Sequence, residues 1–187
     1  MAAMSSTMLP LGTPAPDFTL PDTVSGKMVS LSEIKSPVAT VVMFICNHCP
    51  YVVHVRDELA RAARDYQPKG VRFAAISSND VEKYPEDSPD KMKLFAKESG
   101  FDFPYLYDES QDVARAYRAA CTPDLFVFDG GLKLVYRGQL DGARPKNDIP
   151  VTGEDLRRAL DSIVSGHPVD PNQVASIGCG IKWKEAV

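Results

Sequence analysis

Cys46-Asn47-His48-Cys49 places two of the chain's four cysteines three positions apart, with a histidine between them and Pro50 behind. Thiols one helical turn apart can close a disulfide and reopen it, so the pair can take up or release two electrons. A strand ending at Cys46 and a helix following it would set that cysteine at a helix N-terminus, where outward N–H groups and the helix dipole favour an anion. Cys46 is then the attacking thiolate and Cys49 the resolving thiol. His48 adds a donor and a titratable positive charge, which is expected to lower the thiolate pKa further. Pro50 is tolerated in a first helical turn but disfavours helical geometry at Cys49, so the helix start is expected to be displaced or distorted.

The elements that must position this pair are legible on either side. Residues 38–45 form a near-continuous apolar, β-branched run, the pattern of a strand buried on both faces. From Pro50 to Tyr66 an apolar stripe of Val52, Val53, Leu59, Ala62, Ala63 and Tyr66 predicts a helix. Upstream, 17–20 and 27–31 predict a hairpin across Ser25-Gly26. Downstream come a strand at 71–76, a polar loop at 77–87, a helix from Ser88 or Asp90 to Gly100, and an extended segment at 103–107. Ser110 is expected to cap a helix to Ala119. Strands at 125–128 and 133–136 flank Asp129-Gly130-Gly131-Leu132, whose glycines are expected to supply positive backbone dihedrals, and Thr152 is expected to cap a last helix to Ser165. Alternating strands and helices followed by a hairpin give an α/β class with a central mixed sheet flanked by helices. The tail 166–187 carries Ile177-Gly178-Cys179-Gly180-Ile181-Lys182-Trp183 and is expected to dock on the domain.

Composition removes several classes of function. A net charge of −4 with 25% charged residues offers no footprint for nucleic acid. No run of 18 apolar residues predicts a membrane span, and prolines at 10, 14 and 16 interrupt any signal-type apolar segment, so a cytoplasmic location is expected. Four scattered cysteines in such a chain point to catalysis or metal binding over a disulfide framework. A structural zinc site needs about four ligands, usually in two paired motifs, and no second pair accompanies Cys46 and Cys49. No metal and no cofactor are expected.

Three segments together resemble the thioredoxin-like superfamily, in the redoxin branch shared by peroxiredoxins and TlpA-type thiol-disulfide oxidoreductases. Residues 12–20, GTPAPDFTL, are similar to that branch's entry motif; Cys46 to Cys49 stand at its active site; Cys121-Thr122-Pro123 precede a hairpin as its cis-proline loop does. CNHCPYV and the SIGCGIKW tail are similar to those of bacterial peroxiredoxin-like redoxin-domain proteins. The resemblance implies a thioredoxin-like fold over residues 10–165, with an N-terminal hairpin and with 166–187 as an extension. It also implies a cis bond at Thr122-Pro123 and a loop there that faces the CxxC and offers its backbone to an extended substrate. Cys121 would then lie near the site as packing or as a redox partner. General preference alone would make Pro123 trans.

The chain also departs from its relatives. The peroxiredoxin signature PxxxTxxC would need proline and threonine where Ala39 and Met43 stand before Cys46. Thioredoxin's buried acid is replaced by Thr40, leaving Glu58 or His48 as candidate proton acceptors. Arg137 or Arg144 could serve a peroxide, although surface solvation explains most arginines. His54 is off the face of Cys49 and His167 lies in a loop. Cys179, between glycines, is a candidate third redox cysteine, metal ligand or packing residue. The acidic stretch 80–90, with Glu82, Glu86 and Asp87, is read as a solvated loop, with recognition as the alternative. The reading is a thiol-disulfide oxidoreductase acting through Cys46, Cys49, His48, Thr122 and Pro123 on a protein or small-molecule disulfide or thiol. The alternatives are a thiol peroxidase and a metal-binding module using Cys46 and Cys49 with Cys179 or His167.

Overall fold

A computed structural model describes residues 3–185 of the chain. In order, these form β1 (Ala3–Ser5), the hairpin β2 (Thr19–Pro21) and β3 (Met28–Ser30), the single turn α1 (Leu31–Ile34), β4 (Ala39–Phe44), α2 (Pro50–Tyr66) and β5 (Val71–Ser77). There follow α3 (Pro89–Ser99), β6 (Tyr105–Tyr107), α4 (Asp112–Ala116), β7 (Cys121–Thr122), the hairpin β8 (Asp124–Asp129) and β9 (Leu134–Gly138), α5 (Glu154–Val164), and β10 (Ile177–Gly180).

The apolar run of β4 is buried at every position because it is the middle of a five-stranded sheet, β6-β5-β4-β8-β9. β4 runs parallel to β5, β5 parallel to β6, and β4 antiparallel to β8, so the sheet is mixed as expected. Side chains alternate across it. Ala39, Val41 and Met43 join Val52, Leu59 and Ala63 of α2, Met92 of α3 and Leu156 of α5 in one core. Val42 and Phe44 join Leu20, Leu31, Ala114 and Tyr117 in a second core under the N-terminal hairpin, α1 and α4. The architecture is thioredoxin-like, with helices on both faces of the sheet.

Local departures from the sequence reading trace to side chains that outcompete simple turn rules. Gly130 and Gly131 do not carry the positive dihedral of the β8–β9 turn; Leu132 does, at φ 57°. Gly130 is needed because a Cβ there would collide with the Pro37 carbonyl. α4 is one short turn whose cap position falls on left-handed Gln111, one residue after Ser110; the Ser110 hydroxyl still accepts from Asp112 N at 3.2 Å, and buried Asp108 accepts from Ala114 N at 2.9 Å. Likewise Gly153, not Thr152, precedes α5, and the Asp141 carboxylate accepts from Thr152 N and Gly153 N at 2.8 and 2.7 Å. The segment 103–107 does more than extend: β6 pairs with β5. A second sheet, β1-β10-β7, has no counterpart in the sequence reading, since strands of two to four residues leave no periodicity to detect.

Candidate functional site

The redox motif is the turn between β4 and α2. Ile45 separates Cys46 from the end of β4, and α2 begins only at Pro50, with Cys49 as its N-cap in extended geometry (φ −69°, ψ 121°). The expectation that Cys46 would occupy the helix N-terminus is therefore corrected by one turn. Pro50 excludes helical geometry at the residue before it, so the cap position falls to Cys49. All four cysteines are free thiols and buried, Cys46 being 1% and Cys49 0% exposed.

The cis Thr122-Pro123 bond closes the site from the other side. Thr122 Oγ1 lies 3.5 Å from Cys46 Sγ, and with both thiols protonated Cys49 donates to Thr122 O at 3.1 Å. When the pair gives up one proton, the charge belongs to Cys49. Its pKa falls because the Cys46 thiol hydrogen-bonds to it, against burial, with further help from Thr122, Cys179 and Val52 N–H in the first turn of α2. Cys46 moves up well above an ordinary thiol, because it holds the shared proton, because it is buried, and because the Asp87 carboxylate is near.

Asp87 is the residue that sequence reasoning missed. It lies in the stretch read as a solvated loop, yet it is fully buried, and Ser78, Asn79 and Asp80 beside it are buried too. The polar loop turns inward because the CNHC turn has backbone N–H groups with no helix to satisfy them. Asp87 Oδ1 accepts from Asn47 N at 2.8 Å and His48 N at 3.2 Å; Oδ2 lies 2.6 Å from His48 Nδ1 and accepts from Asn79 Nδ2 at 2.8 Å. Tyr105 Oη adds a bond to Asn47 Oδ1 at 3.0 Å, and the His48 ring stacks on Tyr84. The hydrogen bond to Asp87 raises the His48 pKa. His48 does not lower Cys46 as expected, since its charge is matched by Asp87, whose own field acts on the sulfur in the opposite sense.

Cys46, His48 and Asp87 offer ligand atoms within 4.8 Å of one another. Four N–H groups already fill the acceptor positions of Asp87, so the cluster is organised as a hydrogen-bond network, with no carboxylate lone pair left for an ion. The ligand sets considered from the sequence, with His167 or Cys179, are not the set gathered here; His167 and His54 are exposed.

Glu58 is buried but accepts from Arg61 Nε at 2.7 Å and Arg157 Nε at 2.6 Å, about 13 Å along α2 from Cys49 at the usual helical rise. Thr40 Oγ1 accepts from Ser36 N at 3.1 Å. Arg137, read as a surface residue, is fully buried; its Nη2 lies 3.1 Å from Asp124 Oδ2 and its guanidinium covers the Phe126 ring. Arg144 is near the site, lining a pocket with Pro50, Tyr51 and Cys179. The Cys121 thiol points at Pro123 O and Ser176 O, and burial raises its pKa.

The edge of β7 expected to receive an extended substrate is already paired. β10 runs antiparallel to it, Cys179 opposite Thr122 and Gly180 opposite Cys121. The tail is secured further along by Lys182 N to Asn79 Oδ1 at 2.8 Å and Lys184 N to Gln111 Oε1 at 2.9 Å. Trp183 stays 38% exposed, with the Arg115 guanidinium 4.6 Å from its ring centre.

No curated protein matches the chain. Among solved structures, an uncharacterized conserved protein from Geobacillus kaustophilus is 60% identical with a TM-score of 0.98, the match covering 100% of this chain and 99% of that one. A hypothetical protein from Sinorhizobium meliloti 1021 is 48% identical with a TM-score of 0.95, covering 97% and 99%. The thioredoxin domain of a thiol-disulfide oxidoreductase from Bacteroides vulgatus shares the fold at 22% identity and a TM-score of 0.58, covering 70% and 89%. Residues 11–137 match the AhpC/TSA family. The chain belongs to that family.

Proposed function

We propose that the protein is a cytoplasmic thiol-disulfide oxidoreductase whose redox pair is Cys46 and Cys49, carried by residues 10–165 with 166–187 as an extension. The observation that carries this reading is a pair of buried thiols at the head of α2, one of them on the helix cap and both against the Thr122-Pro123 loop.

Reduction of a substrate disulfide follows from these groups. The Cys46 proton passes to Cys49, and the Cys46 sulfur attacks one substrate sulfur. The other substrate sulfur leaves and takes the proton of charged His48, which Asp87 holds in place. Cys49 then returns its proton to His48 and attacks Cys46, forming the Cys46–Cys49 disulfide and expelling the second thiolate. Two electrons move to the substrate, and the same steps in reverse oxidise a dithiol. Thr122 and Pro123 hold the pair, and Cys121 packs.

The second reading, a thiol peroxidase forming a sulfenic acid on Cys46 that condenses with Cys49, is favoured by the family match. Ala39 and Met43, both buried and apolar, stand where PxxxTxxC has its proline and threonine, so no threonine hydroxyl is there to meet a peroxide. Comparing the oxidation rates of reduced protein with oxidised glutathione and with hydrogen peroxide separates the readings. Fast closure by the disulfide with slow reaction with peroxide is expected; the opposite ranking makes the protein a peroxidase.

A further inference from the structure

Thr122 touches three cysteines. Its hydroxyl is 3.5 Å from Cys46 Sγ, its carbonyl is 3.1 Å from Cys49 Sγ, and its hydroxyl donates to the Cys179 carbonyl at 3.5 Å. Cys179 is its register partner across the β7–β10 pair, and directly opposed residues stand about 5 Å apart. β10 comes this close because residue 178 is glycine, as a Cβ there would overlap the Thr122 carbonyl. Cys179 is buried in the same apolar cluster as Cys46 and Cys49. Cys179 also lines a surface pocket of about 300 Å3 with Pro50, Tyr51, Arg144, Pro145 and Lys146.

β10 thus presents a cysteine opposite the residue before the cis-proline. We propose that Cys179 is an internal substrate of the redox pair, so that the oxidised chain alternates between two disulfides sharing Cys49. This inference rests on the Cys46–Cys49 reading. In the exchange Cys179 gives up its proton and its sulfur attacks Cys49 Sγ. The Cys46–Cys49 bond breaks, and Cys46 leaves as a thiolate that takes the proton, with no electron leaving the protein. The Cys49–Cys179 disulfide ties α2 to β10 and brings the oxidising equivalent to the pocket. There a low-molecular-weight thiol bearing carboxylates meets Arg144 and Lys146, neither paired with a carboxylate among the described residues. Its thiolate attacks Cys179, forming a mixed disulfide and releasing Cys49 as a thiolate.

The test uses full-length wild type, C46S and C179S with glutathione as the probe. After oxidised glutathione, non-reducing peptide maps of C46S are expected to show a Cys49–Cys179 disulfide; glutathione held on Cys49 with Cys179 still open to alkylation overturns the inference. In a second measurement, which needs no change at Cys46, reduced glutathione is expected to reduce the Cys46–Cys49 disulfide of C179S roughly tenfold more slowly than that of wild type. Equal rates overturn the inference. If wild type closes Cys46–Cys49 while both measurements fail, only the role of Cys179 falls. If wild type does not close that bond at all, the redox-pair reading falls with it.

Discussion

Asp87 carries more of the site than its place in an acidic loop implies. One buried carboxylate accepts two backbone N–H groups of the CNHC turn, the Asn79 amide and His48 Nδ1. Asn in its place keeps one acceptor oxygen and turns a donor toward two of these donors, so D87N is expected to cost about 1–3 kcal/mol in urea unfolding at pH 6. The pH dependence has a definite sign. Burial works against ionised Asp87, but the hydrogen bonds from His48 and Asn79 prevail and its pKa is lowered; the His48 pKa is raised. The pair's contribution is complete between the ordinary carboxylate and histidine values, about pH 4 to 6.5. It is lost as pH falls through the depressed Asp87 value and as pH rises through the elevated His48 value. The stability gap between wild type and D87N should narrow at both ends, whereas a constant gap from pH 4 to 9 would remove the His48–Asp87 pairing from the account. The CNHC spacing was plain in the sequence. Asp87 was hidden because an acidic loop reads the same whether its side chains face water or an unsatisfied turn.

At the scale of elements, legibility followed burial and length. The run at 38–45 announced β4 because a strand covered on both faces must be apolar at successive positions, and the stripe of α2 was equally clear. The helix start was not, since Cys49, Pro50 and the turn before them carry no ordinary cap residue. β7 and β10, two and four residues long, were invisible as strands, although the docking of the tail was expected. Their pairing depends on Gly178 more than on side-chain contacts. G178A should push β10 off β7, raising hydrogen exchange at Cys179 and Gly180 and exposing Cys179 to alkylation, with the five-stranded sheet unchanged. Unaltered exchange at those amides would mean that the two strands are not held by this close approach.

The whole molecule is joined by a buried ion pair that the sequence could not reveal, because a lone arginine on a hairpin strand usually faces solvent. Arg137 of β9 and Asp124 of β8 are both fully buried; Asp124 also accepts from Ser6 Oγ at 3.0 Å and Ala120 N at 3.1 Å, and Arg137 Nη2 donates to Arg118 O at 2.7 Å. These bonds connect the main sheet to the N-terminal segment and to the approach to β7, the two flanks of the cysteine cluster. D124A leaves the guanidinium buried and unpaired and is expected to cost about 3–5 kcal/mol by urea unfolding. The double variant D124L/R137M should recover much of that loss. A loss below about 1 kcal/mol in D124A would show that the pair does not secure this junction.

The central claim is that Cys46 and Cys49 exchange disulfides as one unit, and its most direct test is the bond formed when fully reduced wild type meets one equivalent of oxidised glutathione. The account predicts release of two equivalents of reduced glutathione and a non-reducing peptide map in which peptide 46–49 carries its own internal disulfide. Protein that keeps one glutathione per chain, with no bond between Cys46 and Cys49, would contradict it.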